Sequence, residues 1–412
     1  MKTSTATEER DGLPAFPMPR QGPFQPPHAY AELRAEQPVA RVRLWDGRAA
    51  WLVTRHAEIR QLLSDPRVSA RRQHPGFPFA TPARAAAERH EEAFISKDPP
   101  EHGRLRKMLT RYFAVRRIER LRPVVQDIVD GLIDDIEESG PPADLVRQLA
   151  LELPARTICH IFGLPPEERH YFQSRDHRRN ALDSDPADVV AATEEMLHYV
   201  DALVASKQRS PGDDLISELV RDQLDTGAAE RGELVAILRH LLAAGHDTTA
   251  NMIALGVVVL LSHPDQLAQA TTDPELWPGA VEELLRYISV FQISPNRVAT
   301  EDIEIAGVTI RTGDGIITPA VAANRDPHAF PDPDTFDIHR QARHHLAFAY
   351  GVHQCLGQPL ARLELQVVFR TLFERLPTLE LTTPAERLAV REYLLLSIEE
   401  LPVTWTVPGV SR

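Results

Sequence analysis

The chain has 412 residues, 43% apolar and 25% charged, which is enough material for one large core or two to three smaller ones. Its net charge of −13 excludes nucleic acid as the main partner, because a phosphate-binding protein carries a basic face. Two cysteines, Cys159 and Cys355, exclude a disulfide framework and point to a reducing, cytoplasmic setting.

From the N-terminus, MKTSTATEERDGLPAFPMPR is polar and proline-containing, without the charged-then-apolar pattern of a signal peptide or anchor. Residues 1–20 therefore read as a loose tail. Val42 to Thr54, VRLWDGRAAWLVT, alternates about Asp46-Gly47 and predicts a hairpin.

DPPEHGRLRKMLTRYF places His102 and Arg106 four residues apart on one helical face, a spacing able to grip a carboxylate. Between Gly103 and Arg122 lie Arg104, Arg106, Lys107, Arg111, Arg116, Arg117, Arg120 and Arg122, against the single acid Glu119. Such a run is ordinarily a solvated helix face, but here it reverses the sign of the chain. Leu121, Val125, Ile128, Leu132 and Ile136 then recur at helical steps. Cys159, within TICHIF, reads as a small core residue.

GELVAILRHLLAAGHDTTANMIALGVVVLL, Gly232 to Leu261, predicts a long helix buried on most sides. Its polar break, AAGHDTTAN, is costly in a core unless a polar task is done there, and a threonine hydroxyl can bond the carbonyl one turn back. On its own, the break reads equally as a helix bend. The run Met252 to Leu261 is shorter than the ~20 residues a spanning helix needs, so no membrane partner is expected.

EELLR offers Glu283 or Glu282 to Arg286 at helical steps, by itself an ordinary surface pair. EDIEIAGVTIRTGDGIIT alternates with glycine turns and predicts strands. The 34 prolines are spread along the chain and there is no repeat, so residues 1–412 read as one domain, mainly α with a minor β portion. His339, His344 and His345 lack a further group at ligand spacing and are not expected to hold a metal.

FAYGVHQCLGQPLAR, Phe348 to Arg362, sets Cys355 at the start of a helix, where unpaired N–H groups favour a thiolate. Flanking glycines let the backbone approach something flat or bulky; a buried structural thiol is the plain alternative. The pattern Phe348, Gly351, His353, Cys355, Gly357 resembles the haem-ligand loop of the cytochrome P450 superfamily. The resemblance runs nearly the whole chain and looks most like the soluble actinobacterial branch that hydroxylates polyketides, macrolides, steroid-like molecules and drugs.

That resemblance implies the triangular helical prism of the family, with the long helix over haem b and Cys355 as its axial thiolate. It implies His102, Arg106, His353 and Arg297 as propionate partners, and Phe348, Gly351, Gly357 and Ala244 as further haem neighbours. Asp247 and Thr248 would be the acid–alcohol pair that relays protons for cleavage of O2. Glu283, Arg286 and Arg340 would form a buried structural network.

Substrate walls are expected at Ala243, Ala244, Gln292, Ile293, Leu394 and Leu395. Loops Arg71 to Glu92 and Arg175 to Ala191 would complete them, their arginines and histidines suggesting a polar or acidic group on an otherwise apolar substrate. Electrons would come from NAD(P)H through a reductase and a ferredoxin docking on Arg104, Lys107, Arg111 and Arg116 of a monomer. Epoxidation, desaturation and phenol coupling start from the same chemistry and stay open. Two rivals are a haem-binding recruitment module without turnover and a cysteine hydrolase using His353, whose place two residues along a tight loop is poor geometry for a base.

Overall fold

The computed structural model describes residues 12–20, 24–88, 93–180, 186–293, 295–392 and 394–407. The helices that build the site are, in chain order, α1 (His56–Ser64), α2 (Glu101–Thr110), α3 (Arg122–Ser139), α4 (Glu152–Phe162), α5 (Arg169–Asn180), α6 (Pro186–Arg209), α7 (Arg231–Leu261), α8 (Trp277–Ile288) and α9 (Gln358–Arg375). The expected predominance of helix with a smaller β portion holds.

The apolar stretch after residue 231 becomes α7, 31 residues long, started by a capping box in which Glu230 and Glu233 each satisfy a backbone N–H of the other's turn. By length and hydropathy α7 could cross a membrane, contrary to the reading of its apolar run, but 67% of its most apolar window is buried inside the protein. Its apolarity serves a core. Apolar faces of α3, α7, α8 and α9 meet in the largest cluster.

Gly256 sets how closely α7 and α9 approach: a Cβ there would stand 2.3 Å from Cζ of Phe369, a fully buried ring on α9. Trp277 of α8 stacks on Phe369 and Phe373 and seals the same junction.

The main sheet contains β1 (Val39–Arg43), β2 (Ala49–Val53), β3 (Val68–Ser69), β4 (Asn296–Ala299) and β5 (Gly315–Ile317), in the order β1-β2-β5-β4-β3. β1 and β2 form the expected hairpin, with Arg41 opposite Trp51, while β2 runs parallel to β5. EDIEIAGVTIRTGDGIIT divides between two sheets: Ile303–Ile305 and Val308–Ile310 pair with each other, and Gly315–Ile317 joins the main sheet.

The expected tail is shorter than residues 1–20. Phe16 and Met18 are buried, and Phe16 N–H donates to the Arg43 carbonyl at 2.9 Å, because two large apolar side chains gain more against β1 than in water. Residues 1–11 lie outside the described residues, as do residues 89–92 and 181–185 of the two expected entrance loops.

Candidate active site

A cavity of about 790 Å³ lies between α7 and the segment leading into α9. Cys355 lies on its wall, opposite Ala243, Ala244 and Thr248 of α7. The cysteine is held by the residues before it: its N–H donates to the Phe348 carbonyl at 2.9 Å, and Gln354 N–H donates to the Gly351 carbonyl at 3.0 Å. Pro359 fits the first turn of α9, where no N–H is needed.

Gly351 shapes this loop from outside the cavity and does not line it, a correction to its expected place beside the haem. It has φ +73°, and a Cβ would stand 2.2 Å from the Leu63 carbonyl oxygen at the end of α1. Only glycine lets the loop seat on that helix. Gly357 does border the cavity, its missing Cβ meeting nothing nearer than the Cys355 sulfur at 3.9 Å.

The Cys355 sulfur is open to the cavity and otherwise walled in by protein. Burial pushes the thiol up, while the N–H groups of Gly357 and Gln358 and the guanidinium groups of Arg106 and Arg362 pull the other way. A metal cation at the sulfur would deprotonate it outright.

At one end of the cavity stand His102, Arg106, Arg297 and His353. The two imidazoles lie 4.0 Å apart between centroids, and His102 Nε2 and His353 Nδ1 are buried without a hydrogen-bond partner. Burial first, then the two arginines, pushes His102 down to about 4. His353 falls to about 2 by burial, then by Arg297, His102 and Arg106. Arg297 is itself pushed down to about 10 by burial. Arg106 also donates to the Gln354 carbonyl at 2.6 Å, fastening α2 to the cysteine loop.

Buried imidazole and guanidinium groups gathered this way call for anionic oxygens. With a thiol on the wall and Ala244 and Gly357 leaving space beside it, the residues fit a flat group that carries an iron at its centre and carboxylates at one edge. Haem b answers that description.

On α7, Thr248 Oγ1 donates to the Ala244 carbonyl at 2.9 Å, the back-bond anticipated from the sequence. Asp247 borders the cavity, and its Oδ1 lies 2.8 Å from His246 Nδ1. His246 was not singled out by sequence reasoning. Its identity in the polar break is the only signal that could have marked it.

Glu283 and Arg286 are fully buried and joined by two hydrogen bonds of 2.7 Å, and Arg340 Nε reaches Glu283 at 3.2 Å. Arg286 also donates to the carbonyls of Asn324 at 2.8 Å and Pro333 at 2.7 Å. The Asn324 side chain in turn accepts Leu346 N–H at 2.7 Å, which carries the network to within two residues of Phe348.

Glu282, the alternative partner for Arg286, does something else. It accepts from Arg362 Nε at 2.6 Å and lies 3.2 Å from His345 Nε2, and Arg362 covers the Phe348 ring at 4.7 Å. Burial would raise this carboxyl, but the bonds from His345 and Arg362 outweigh it and hold it at about 2.

Ala243, Ala244, Ile293, Leu394 and Leu395 line the cavity as expected, and Gln292 does not. Its Nε2 donates to the Ser289 carbonyl at 2.7 Å and its Oε1 accepts from Arg20, so the amide satisfies buried backbone instead of facing a substrate. Phenylalanines supply more of the wall: Phe77 and Phe79 from the loop Arg71 to Glu92, and Phe291, which was not among the expected residues. Glu364 of α9 also lines it, with Oε1 unpartnered. Arg71 pairs with Asp98 and Glu101, and Arg175 with Glu195, whereas Arg72 and Arg84 of the first loop line the cavity, so the suggestion of a polar or acidic group on the substrate rests on those two.

Half of the basic segment is met by carboxylates. Arg104 pairs with Glu233, Arg111 with Asp222 and Arg117 with Glu218, all distant in sequence, and Arg122 with its neighbour Glu119. Lys107, Arg116 and Arg120 are exposed.

A family model described as Cytochrome P450 matches residues 269–387. Cytochrome P450 105A3 of Streptomyces carbophilus is 49% identical, over 95% of this chain and 96% of its own length. Vitamin D3 dihydroxylase of Streptomyces griseolus is 46% identical, over 98% of this chain and all of its own length. Among solved structures, the mycinamicin VIII C21 methyl hydroxylase MycCI of Micromonospora griseorubida, bound to mycinamicin VIII, is similar with a TM-score of 0.91 and 41% identity, over 95% of this chain and 100% of that one.

Proposed function

The chain belongs to the cytochrome P450 family, with that family's fold and monooxygenase activity, and from this premise we propose that it hydroxylates an apolar natural product or drug of macrolide, polyketide or steroid-like size. The cavity is large and its wall is mostly aliphatic and aromatic, which suits such a molecule. The names of two relatives, a vitamin D3 dihydroxylase and a mycinamicin VIII C21 methyl hydroxylase, agree in chemistry.

Haem b, when bound, supplies the activation of O2 that puts one oxygen atom into a C–H bond and releases the other as water. Cys355 would supply the thiolate that holds its iron. His102, His353, Arg106 and Arg297 would hold its propionates, and Phe348, Gly357 and Ala244 would lie beside it. Asp247 gives up the protons that the reaction consumes, and Thr248, its own hydrogen committed to Ala244, offers oxygen lone pairs that hold a water or hydroxyl in line. Glu283, Arg286 and Arg340 keep the cysteine loop in shape.

Electrons come from NAD(P)H by way of a reductase and a ferredoxin. Docking falls on Lys107 and Arg116 more than on Arg104 and Arg111, whose charges are already met by Glu233 and Asp222. The protein works as a cytoplasmic monomer, folded as one domain.

The observation that carries this reading is a thiol opening into a cavity whose edge gathers two unpartnered imidazole nitrogens and two guanidinium groups. Its test is the absorption spectrum of the purified protein, reduced under carbon monoxide, with titration of macrolides, sterols and terpenoids in the resting state. A red-displaced carbon monoxide band that Cys355→Ala abolishes is expected, together with a blue shift of the resting band on adding a substrate-class compound. A haem-loaded protein without that band overturns the reading.

A further inference from the structure

Asp247 sits beside a residue whose side chain turns inward. His246 is 2% exposed, with Phe172 of α5 edge-on to it at 6.2 Å between ring centroids. Nδ1 lies 2.8 Å from Asp247 Oδ1. Nε2 lies 3.1 Å from the Leu151 carbonyl oxygen, just before α4, and 3.1 Å from Gln173 Nε2 on α5. Gln173 Nε2 also reaches the Leu151 carbonyl, at 3.3 Å.

Counting hydrogens fixes the ring's role. An ionised carboxylate only accepts, so Nδ1 must carry a hydrogen toward Asp247. If Nε2 is bare, the two amide hydrogens of Gln173 serve Nε2 and Leu151. If Nε2 is protonated, its hydrogen serves Leu151. In both charge states Nδ1–H remains on Asp247. When Asp247 takes up a proton, the ring can accept from it through Nδ1 and keep Nε2–H on Leu151. The same contacts are thus satisfied with the proton on either side of the short gap.

We propose that His246 is a positioning residue for Asp247, holding its carboxyl in the orientation from which protons are delivered, with Gln173 and the Leu151 carbonyl holding the ring. The proposal rests on Asp247 being the proton donor. It makes α5 one of the supports of the acid. Proton transfer depends steeply on alignment, and a carboxyl without its lateral hydrogen bond turns toward water.

The test uses the haem-loaded protein with a reductase and a ferredoxin, comparing His246→Leu, His246→Asn, Gln173→Leu and Asp247→Asn. His246→Leu should lower product formed per NAD(P)H oxidised by about tenfold and raise the solvent isotope effect, as Asp247→Asn does, while substrate affinity by absorption titration stays within about twofold. His246→Asn, which keeps an N–H near the place of Nδ1, should recover most of the coupling, and Gln173→Leu should fall between.

Independently of turnover, ¹⁵N-histidine NMR of the reduced carbon monoxide form should show a hydrogen-bonded Nδ1–H that moves in Asp247→Asn. That signal and the Asn and Gln173 variants carry the test if His246→Leu does not fold. Wild-type coupling and isotope effect in His246→Leu beside an impaired Asp247→Asn would overturn the positioning role alone. An unimpaired Asp247→Asn would remove the proton-donor reading and the proposal with it. An Nδ1 without hydrogen while Asp247 is ionised would also overturn the proposal.

Discussion

Glu364 yields the sharpest prediction about pH and stability. The side chain is 2% exposed, its Oε1 has no hydrogen-bond partner, and burial raises it from an ordinary carboxyl value of 4.5 to about 8, with the Thr157 hydroxyl offsetting only part. The folded protein therefore keeps this carboxyl neutral at pH 7, and the unfolded chain ionises it. Between those two values the unfolded state binds fewer protons than the folded one, so stability falls as pH rises.

Each pH unit in that window costs about 1.4 kcal/mol, about 3 kcal/mol by pH 7 and about 4 kcal/mol at pH 8, where the folded-state carboxyl is itself half ionised. Below pH 4.5 the folded-state contribution is fully present. Glu364→Gln keeps the shape and removes the ionisation. Denaturant unfolding of the haem-loaded protein at pH 5, 7 and 8 should show the variant nearly level with the wild type at pH 5 and progressively more stable above it. A stability difference that stays constant across that range would refute the reasoning.

Arg286→Leu leaves buried Glu283 with Arg340 as its charge partner and strips two carbonyls of a donor, so a loss of about 3 kcal/mol is expected in denaturant unfolding, and less for the double change Glu283→Leu/Arg286→Leu. Gly351→Ala puts a methyl group 2.2 Å from the Leu63 carbonyl at positive φ, so the loop must shift; a smaller fraction of thiolate-type carbon monoxide band per haem should report it. Lys107→Glu/Arg116→Glu should slow first-electron transfer from a ferredoxin by about tenfold at low salt in stopped-flow reduction, and Arg104→Gln far less, because Glu233 already neutralises Arg104. A larger effect from Arg104→Gln would reverse that assignment of the docking face.

What the sequence made legible is chemistry that lies on one element. The spacing from Phe348 to Gly357, the polar break at Asp247 and Thr248, the helical step from Glu283 to Arg286, and the pairing of His102 with Arg106 each occupy a few consecutive residues; helical spacing puts the last two pairs on a common face, and the resemblance to the family carries the first two. Where a residue's role depends on another element, that information fails. Gly351 looked like a haem neighbour because the Leu63 carbonyl that demands a glycine lies 288 positions earlier in the chain. Gln292 follows the helix that should place it at the substrate, yet buried carbonyls at Ser289 and Val290 claim its amide. The basic run from Arg104 to Arg122 looked unopposed because its carboxylates, Glu218, Asp222 and Glu233, lie more than 100 positions away.

His246 and Glu364 belong to the same class. Nothing in AAGHDTTAN distinguishes a histidine that holds Asp247 from one that fills space, until α5 brings Gln173 beside it. Nothing in the periodicity of α9 separates a solvated glutamate from one enclosed against α4, where water is excluded and the acid must stay neutral. In this fold the expected metal ligand and the expected pairing of His102 with Arg106 lie on local spacing. The contacts that α5 and the Leu151 carbonyl make with His246 of α7, and that α4 makes with Glu364 of α9, join residues distant in sequence and become visible only after the core has formed.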